Sequence, residues 1–222
     1  WEGEGVFIGT GSITTRDMPA DAITGMRSSL CLLGALLARC GSIVMEYPGG
    51  CVIGKRPIDL HLRALEQMGV CFSEEGDRIC GRAPEGLRGA EIRLALPSVG
   101  ATENAMLCAV GASGCTTIAN AAREPEIRDL QNFLNSLGAH VRGAGSSTIT
   151  IEGGKELSGG EYTVMGDRIV AATLLSGTAA AGGKVRLRGV DWRHLATVLS
   201  VFHQAGCKVE SKLEYVELER DR

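Results

Sequence analysis

Three short stretches echo one another along the chain, and their spacing limits the folds open to it. Leu65-Glu66-Gln67-Met68-Gly69-Val70, Leu134-Asn135-Ser136-Leu137-Gly138-Ala139 and Phe202-His203-Gln204-Ala205-Gly206-Cys207 each read as the last turn of a helix running into a glycine. The three glycines are spaced 69 and 68 residues apart. A glycine just past a helix takes the left-handed conformation that stops it. The residues before each stop carry helical apolar spacing: Ile58, Leu62 and Leu65; Ile127, Leu130, Leu134 and Leu137; Leu195, Leu199 and Phe202. Each set is the narrow stripe of a helix that buries one face. Pro57 and Pro125 stand where helix-opening prolines belong, and Asp191 where an N-cap does.

An earlier apolar helix precedes each of these, over Met26 to Ala38, Thr102 to Ala112 and Ile169 to Ala181. A glycine and a short strand follow it: Ser42–Glu46, Thr116–Ala119 and Lys184–Leu187. Each unit closes on a hairpin: Val70–Ser73 with Arg78–Gly81, His140–Arg142 with Thr148–Glu152, and Lys208–Glu210 with Tyr215–Leu218. The expected fold is α/β (α+β), a helix-strand-helix-hairpin module repeated about every 69 residues. Units of this kind stack to share a core.

Composition narrows the function. A net charge of −3 with no basic run argues against a nucleic-acid or membrane-surface partner. The longest apolar stretch, Leu30 to Ala38, is far short of the roughly 18 residues of a membrane span, and no signal peptide is visible. Eight cysteines without a CxxC pair do not suggest zinc. Seven of them read as small buried hydrophobes in a reducing compartment.

Cys51 is the exception. It lies in Pro48-Gly49-Gly50-Cys51-Val52-Ile53-Gly54-Lys55-Arg56-Pro57-Ile58-Asp59-Leu60-His61. Glycines let a ligand approach the backbone, Lys55 and Arg56 supply anion binding, and nearby cations favour thiolate at Cys51. An ordinary turn with a chance cysteine is the competing reading. Pro97-Ser98-Val99-Gly100-Ala101-Thr102-Glu103-Asn104 places a hydroxyl and free amides before a helix, which is either an anion site or a simple N-cap.

These two segments, with Asn120-Ala121-Ala122-Arg123-Glu124-Pro125-Glu126-Ile127 and Asp167-Arg168-Ile169, resemble the bacterial UDP-N-acetylglucosamine 1-carboxyvinyltransferases, and the similarity runs over essentially the whole chain. The resemblance implies cytoplasmic enolpyruvyl transfer from phosphoenolpyruvate to the 3-hydroxyl of UDP-N-acetylglucosamine, the opening step of peptidoglycan synthesis. No metal or cofactor is implied. It also implies domains built as inside-out α/β barrels, with helices inside and strands outside. Residues 1–165 would belong to a first domain and 166–222 to a second.

By the same resemblance Cys51 is the proton donor and the target of fosfomycin, and Arg56 binds phosphoenolpyruvate. Pro57, Ile58, Asp59 and Leu60 cradle uracil; Ser98, Val99 and Gly100 hold the diphosphate. Arg27 faces the closed site, and Glu124 and Asp167 lie near the interdomain cleft, although Asp167 and Arg168 also read as a surface ion pair. His61 reads either as support for this site or as a plain helix residue. The start at Trp1 and the stop within a strand-like run suggest a fragment. The family's N-terminal Lys-Asn pair, its aspartate base and two later arginines have no counterpart here, so negligible turnover is expected of this chain alone. A non-catalytic nucleotide-sugar binding module is the alternative of a different class. 5-Enolpyruvylshikimate-3-phosphate synthase shares the fold, but lacks the loop cysteine and the Arg-Pro-Ile-Asp segment.

Overall fold

The structure, a computed structural model, describes residues 5–11, 13, 17–18, 23, 25–47 and 58–221. The chain divides into two compact units, Trp1–Glu161 and Tyr162–Arg222. In the first, a 3-10 turn over Arg27–Cys31 runs into α1 (Leu32–Cys40), then β1 (Ser42–Glu46), α2 (Asp59–Glu66) and the hairpin β2 (Cys71–Glu75) and β3 (Arg78–Arg82). The order recurs as β4 (Glu91–Arg93), α3 (Val99–Gly111), β5 (Cys115–Ala119), α4 (Pro125–Ser136) and the hairpin β6 (His140–Arg142) and β7 (Thr148–Glu152). The second unit holds α5 (Arg168–Ala181), β8 (Gly183–Arg188), a 3-10 turn (Trp192–Leu195), α6 (Ala196–Gln204), β9 (Lys208–Ser211) and β10 (Tyr215–Arg220).

The three sheets share one topology. Each hairpin's second strand lies centrally and antiparallel to both neighbours, giving β1-β3-β2, β5-β7-β6 and β8-β10-β9. Strand β4 adds to the middle sheet, parallel to β5, with Ile92 opposite Ile118.

The helix stops are also the same three times over. Gly69, Gly138 and Gly206 have φ of 93°, 103° and 85°. The amide after each glycine donates to the carbonyl five residues back: Val70 to Leu65 at 3.3 Å, Ala139 to Leu134 at 3.0 Å, Cys207 to Phe202 at 3.0 Å. The glycine amides donate to Glu66, Asn135 and His203. This paired pattern is the Schellman motif, and a residue with a Cβ is strained at such a φ.

Four sequence readings are corrected. Strand β4 was not expected, because three residues with one apolar side chain carry no periodicity. Helix α3 begins at Val99 rather than Thr102, because Ser98 caps it there. Asp191 caps the 3-10 turn Trp192–Leu195, through the Arg193 amide at 2.9 Å, and only indirectly leads into α6. A fourth concerns the cysteines: Cys80, Cys108 and Cys207 are buried, but Cys71 and Cys115 are exposed and Cys31 and Cys40 partly so. Cys71 and Cys115 open their strands on the outward-facing register. No helix among the described residues is long and apolar enough to cross a membrane.

Helix α3 is the centre of the first unit. Ala101, Ala105, Cys108 and Ala109 are fully buried, and α1, α2 and α4 pack around it. It crosses α1 at contact distance. A Cβ on Gly34 would overlap the Asn104 carbonyl, and one on Gly111 would lie 2.7 Å from the Ala38 Cβ. At the crossing the Asn104 amide is fully buried and fully used. Its Oδ1 accepts from the Gly34 amide at 2.7 Å. Its Nδ2 donates to the Leu30 carbonyl at 3.0 Å and meets His61 Nδ1 at 2.8 Å. The two backbone partners fix which amide atom is which, so His61 Nδ1 accepts and the proton of the neutral ring sits on Nε2.

Burial, with a smaller push from the Arg27 charge and opposed by Asp59, lowers the His61 pKa from 6.5 to about 4. Between those values the unfolded chain binds more protons than the folded one, so acid favours unfolding. The contribution is fully present above the ordinary value and lost as pH falls toward the lowered one, by up to about 3 kcal/mol.

Two outcomes are expected. Gly34→Ala lowers the unfolding midpoint by a destabilisation of about 2 kcal/mol or more, since backbone must move. Gly177→Ala in α5, where a Cβ meets nothing within 4 Å, stabilises by about 0.5–1 kcal/mol. Thermal unfolding of both variants checks the contrast, and equal shifts would rule out the close crossing. Second, urea unfolding between neutral pH and pH 4 shows a steeper acid loss in the wild-type chain than in His61→Gln. Parallel profiles would exclude the buried neutral histidine as the cause.

Candidate nucleotide-binding site

The first turns of α2 and α3 meet, and they do so through His61. Ile58 is buried and forms the N-cap position of α2; Asp59 is exposed in its first turn; Leu60 packs against the core. His61, one residue on, retains only 8% of its exposure. A Cβ on Gly100 would lie 2.9 Å from His61 Cε1 and 3.4 Å from Nε2. The missing side chain is therefore what lets the imidazole edge lie against the second residue of α3. Two motifs found separately in the sequence thus touch, at His61 and Gly100.

The α3 terminus is prepared for an anion. Ser98 Oγ accepts from the Ala101 amide at 3.4 Å, and Ser98 O accepts from the Thr102 amide at 3.0 Å. The amides of Val99 and Gly100 precede the first possible intrahelical acceptor, so the helix itself cannot satisfy them. Two such amides at the positive end of a helix dipole suit a phosphate oxygen. Thr102 Oγ1 donates to Ser98 O at 2.7 Å and accepts from the Ala122 amide at 3.1 Å. It thereby ties the 120–124 segment to the same turn.

Glu124 ends that segment. It occupies the N-cap position of α4, with Pro125 next, and its Oε2 accepts from the Arg123 amide at 2.8 Å. Arg27 is half-buried in the first 3-10 turn, and its charge acts on His61. Asp167 belongs to the second unit. Its Oδ1 caps α5 through the Ile169 and Val170 amides at 2.7 and 3.0 Å. Cys51, Arg56 and Pro57, with Lys55, lie outside the described residues.

Two features escaped the sequence reading. Asn104 stood in a noted motif but without a role; its signal is a lone amide in an apolar helix. Cys31 donates through Sγ to Glu103 Oε2 at 3.3 Å. Burial first, then the Glu103 charge, pushes this thiol up to about 12, and burial raises the Glu103 carboxyl as well. Cys31 is thus a thiol at physiological pH, with no nucleophilic character.

Comparison with known proteins places the chain in a family. The sequence pattern of the family described as EPSP synthase (3-phosphoshikimate 1-carboxyvinyltransferase) matches residues 1–221. A UDP-N-acetylglucosamine 1-carboxyvinyltransferase 1 of Symbiobacterium thermophilum is 49% identical over 207 residues, covering 93% of this chain and 47% of that protein. A UDP-N-acetylglucosamine 1-carboxyvinyltransferase 2 of Caldanaerobacter subterraneus is 44% identical over 218 residues, 98% of this chain and 52% of its own. The chain thus spans about half the length of these relatives. Among solved structures, the enolpyruvyl transferase NikO from Streptomyces tendae superposes with a TM-score of 0.75 at 23% identity, over 92% of this chain and 49% of its own. EPSP synthase from Acinetobacter baumannii gives 0.62 at 24% identity, over 86% and 45%. These two establish the shared α/β fold. Taken with the match over 1–221, they place the chain in the EPSP synthase family of enolpyruvyl transferases, where it resembles the UDP-N-acetylglucosamine 1-carboxyvinyltransferases over most of its length.

Proposed function

We propose that this chain carries the nucleotide platform and reactive-cysteine loop of an enzyme that transfers the enolpyruvyl group of phosphoenolpyruvate to the 3-hydroxyl of UDP-N-acetylglucosamine. The observation that carries the reading is the contact of His61, which follows residues 58–60, with Gly100 in the first turn of α3, in a chain 49% identical to a relative named for that reaction. In this reading Pro57, Ile58, Asp59 and Leu60 hold uracil, and Ser98, Val99 and Gly100 hold the diphosphate. Such a platform fixes the sugar so that its hydroxyl meets the second substrate in reacting geometry.

The chemistry is addition followed by elimination. The sugar hydroxyl gives its proton to a base as its oxygen bonds to C2 of phosphoenolpyruvate and a proton is delivered to C3, giving a phosphate-bearing ketal. Loss of a C3 proton then restores the double bond as the C–O bond to phosphate breaks. Cys51 is proposed to deliver the C3 proton as a general acid. Arg56 is proposed to neutralise the phosphate and carboxylate, where its planar fork gives two parallel hydrogen bonds. Arg27 and Glu124 are proposed to line the reacting region. Neither metal nor organic cofactor enters these steps. A place in bacterial peptidoglycan synthesis, in the cytoplasm, follows from the same proposal.

The test is intact-mass measurement after incubation with fosfomycin, an epoxide that a thiolate opens. One adduct is expected, on Cys51, formed faster with UDP-N-acetylglucosamine present and absent from Cys51→Ala. A folded chain that neither forms the adduct nor binds the sugar nucleotide overturns the proposal. Binding without an adduct supports a nucleotide-sugar binding module instead.

A further inference from the structure

We infer that the chain pairs with a second copy of itself through helix α5, along a face that in the preceding repeat is covered by another helix. The repeat supplies the comparison. Ser98 caps α3 and Asp167 caps α5, 69 residues apart, the same interval that separates Gly69 from Gly138. Position by position, α5 is therefore α3 displaced by 69. One face behaves alike in both helices: Thr102, Met106 and Val110 of α3 are buried, and so are Ala171, Leu175 and Ala179 of α5. The adjoining face does not. Ala101, Asn104, Ala105 and Cys108 are fully buried, and α1 packs against α3 there, with Gly34 on Asn104. Their counterparts Val170, Thr173, Leu174 and Gly177 are exposed, Val170 to 54% and Leu174 to 50%.

The open face already has the chemistry of an interior. No charged residue occurs from Ile169 to Gly183. The hydroxyls along the helix are bonded within it: Thr173 Oγ1 donates to the Ile169 carbonyl at 2.8 Å, Ser176 Oγ to that of Ala172 at 2.8 Å, and Thr178 Oγ1 to that of Leu174 at 3.1 Å. Covering them strands no donor, so apolar burial is gained without the usual polar penalty. A face without charge offers nothing to a nucleic acid or a charged peptide. It fits another uncharged helix, and α5 of a second copy is one. Two copies set antiparallel about Leu174 make a twofold contact, in which the same surface serves both sides. Their helix dipoles then oppose, and Arg168 at the positive end of one helix comes to the negative end of the other, where a cation is favoured.

Sedimentation equilibrium of the 222-residue chain, from dilute to concentrated solution, reads the pairing. A reversible rise from the 23.3 kDa of one chain to the mass of two is expected. Leu174→Arg sets a charge in the contact and is expected to weaken the dimer by about a hundredfold or more. Leu213→Arg, at a hairpin tip where Leu213 is 90% exposed, is expected to leave it unchanged. In the wild-type chain, the methyl NMR signals of Val170 and Leu174 should shift with concentration while those of Leu213 stay in place.

A wild-type chain that stays a single copy at every concentration overturns the inference. So does a dimer that Leu174→Arg leaves intact, or association that grows past two copies without limit. Val170 and Leu174 methyls that ignore concentration overturn it as well, a result that does not depend on any variant folding. The proposed function stands in each of these cases, since the fosfomycin adduct on Cys51 does not call on α5.

Discussion

Helices α1 and α3 touch backbone to backbone, and the Asn104 amide satisfies the Gly34 amide and the Leu30 carbonyl at that contact. Gly34 removes the side chain that would hold the helices apart. The closeness would strand the Gly34 amide and the Leu30 carbonyl where the 3-10 turn becomes α1. Asn104 satisfies both, and its remaining hydrogen goes to His61. A buried amide with every group paired is stable, whereas one left partly paired costs about 1–3 kcal/mol. Packing, helix capping and ring orientation are therefore one interaction. From it follow the placement of α2 against α3 and the contact of His61 with Gly100.

Much of this was legible in the sequence. Stripes such as Ile127, Leu130 and Leu134, ending at Gly138, specify a helix and its stop by local chemistry alone. So do the hairpins, whose alternation is strict at Thr148–Glu152. What failed depended on context. Val99 and Gly100 are poor helix formers, so the spacing suggested a later start, and only the Ser98 cap and neighbouring packing draw them into the helix. Strand β4 exists because β5 offers it a partner. The outward register of Cys71 and Cys115 is set by pairing, and a cysteine's apolar character does not reveal which face it takes. The site was legible as two motifs, but their contact was not. It runs through Asn104, whose partners lie some 70 residues away in the chain.

Electrostatics divides the cysteines by environment. Cys31 is held protonated by burial and by the Glu103 carboxylate, and Cys108 by burial alone. Among the described thiols, Cys71 and Cys115 are the ones solvent reaches readily. Mild alkylation thus offers labels on the outer sheet surfaces that leave the helical centre untouched.

The three helix stops and the three hairpin tips differ in one respect. Each stop is the same glycine-centred turn, fixed by the same pair of hydrogen bonds. The tips are not alike. Only Gly76 and Asp77 join β2 to β3, residues 143–147 join β6 to β7, and residues 212–214 join β9 to β10. The longest of these tips folds back on its own unit, with the Ala144 amide donating to Gln131 Oε1 at 2.9 Å. A peptide tag or a small inserted domain therefore belongs at 212–214, which is exposed, and not at 143–147, where Ala144 packs against the core and its amide donates to Gln131.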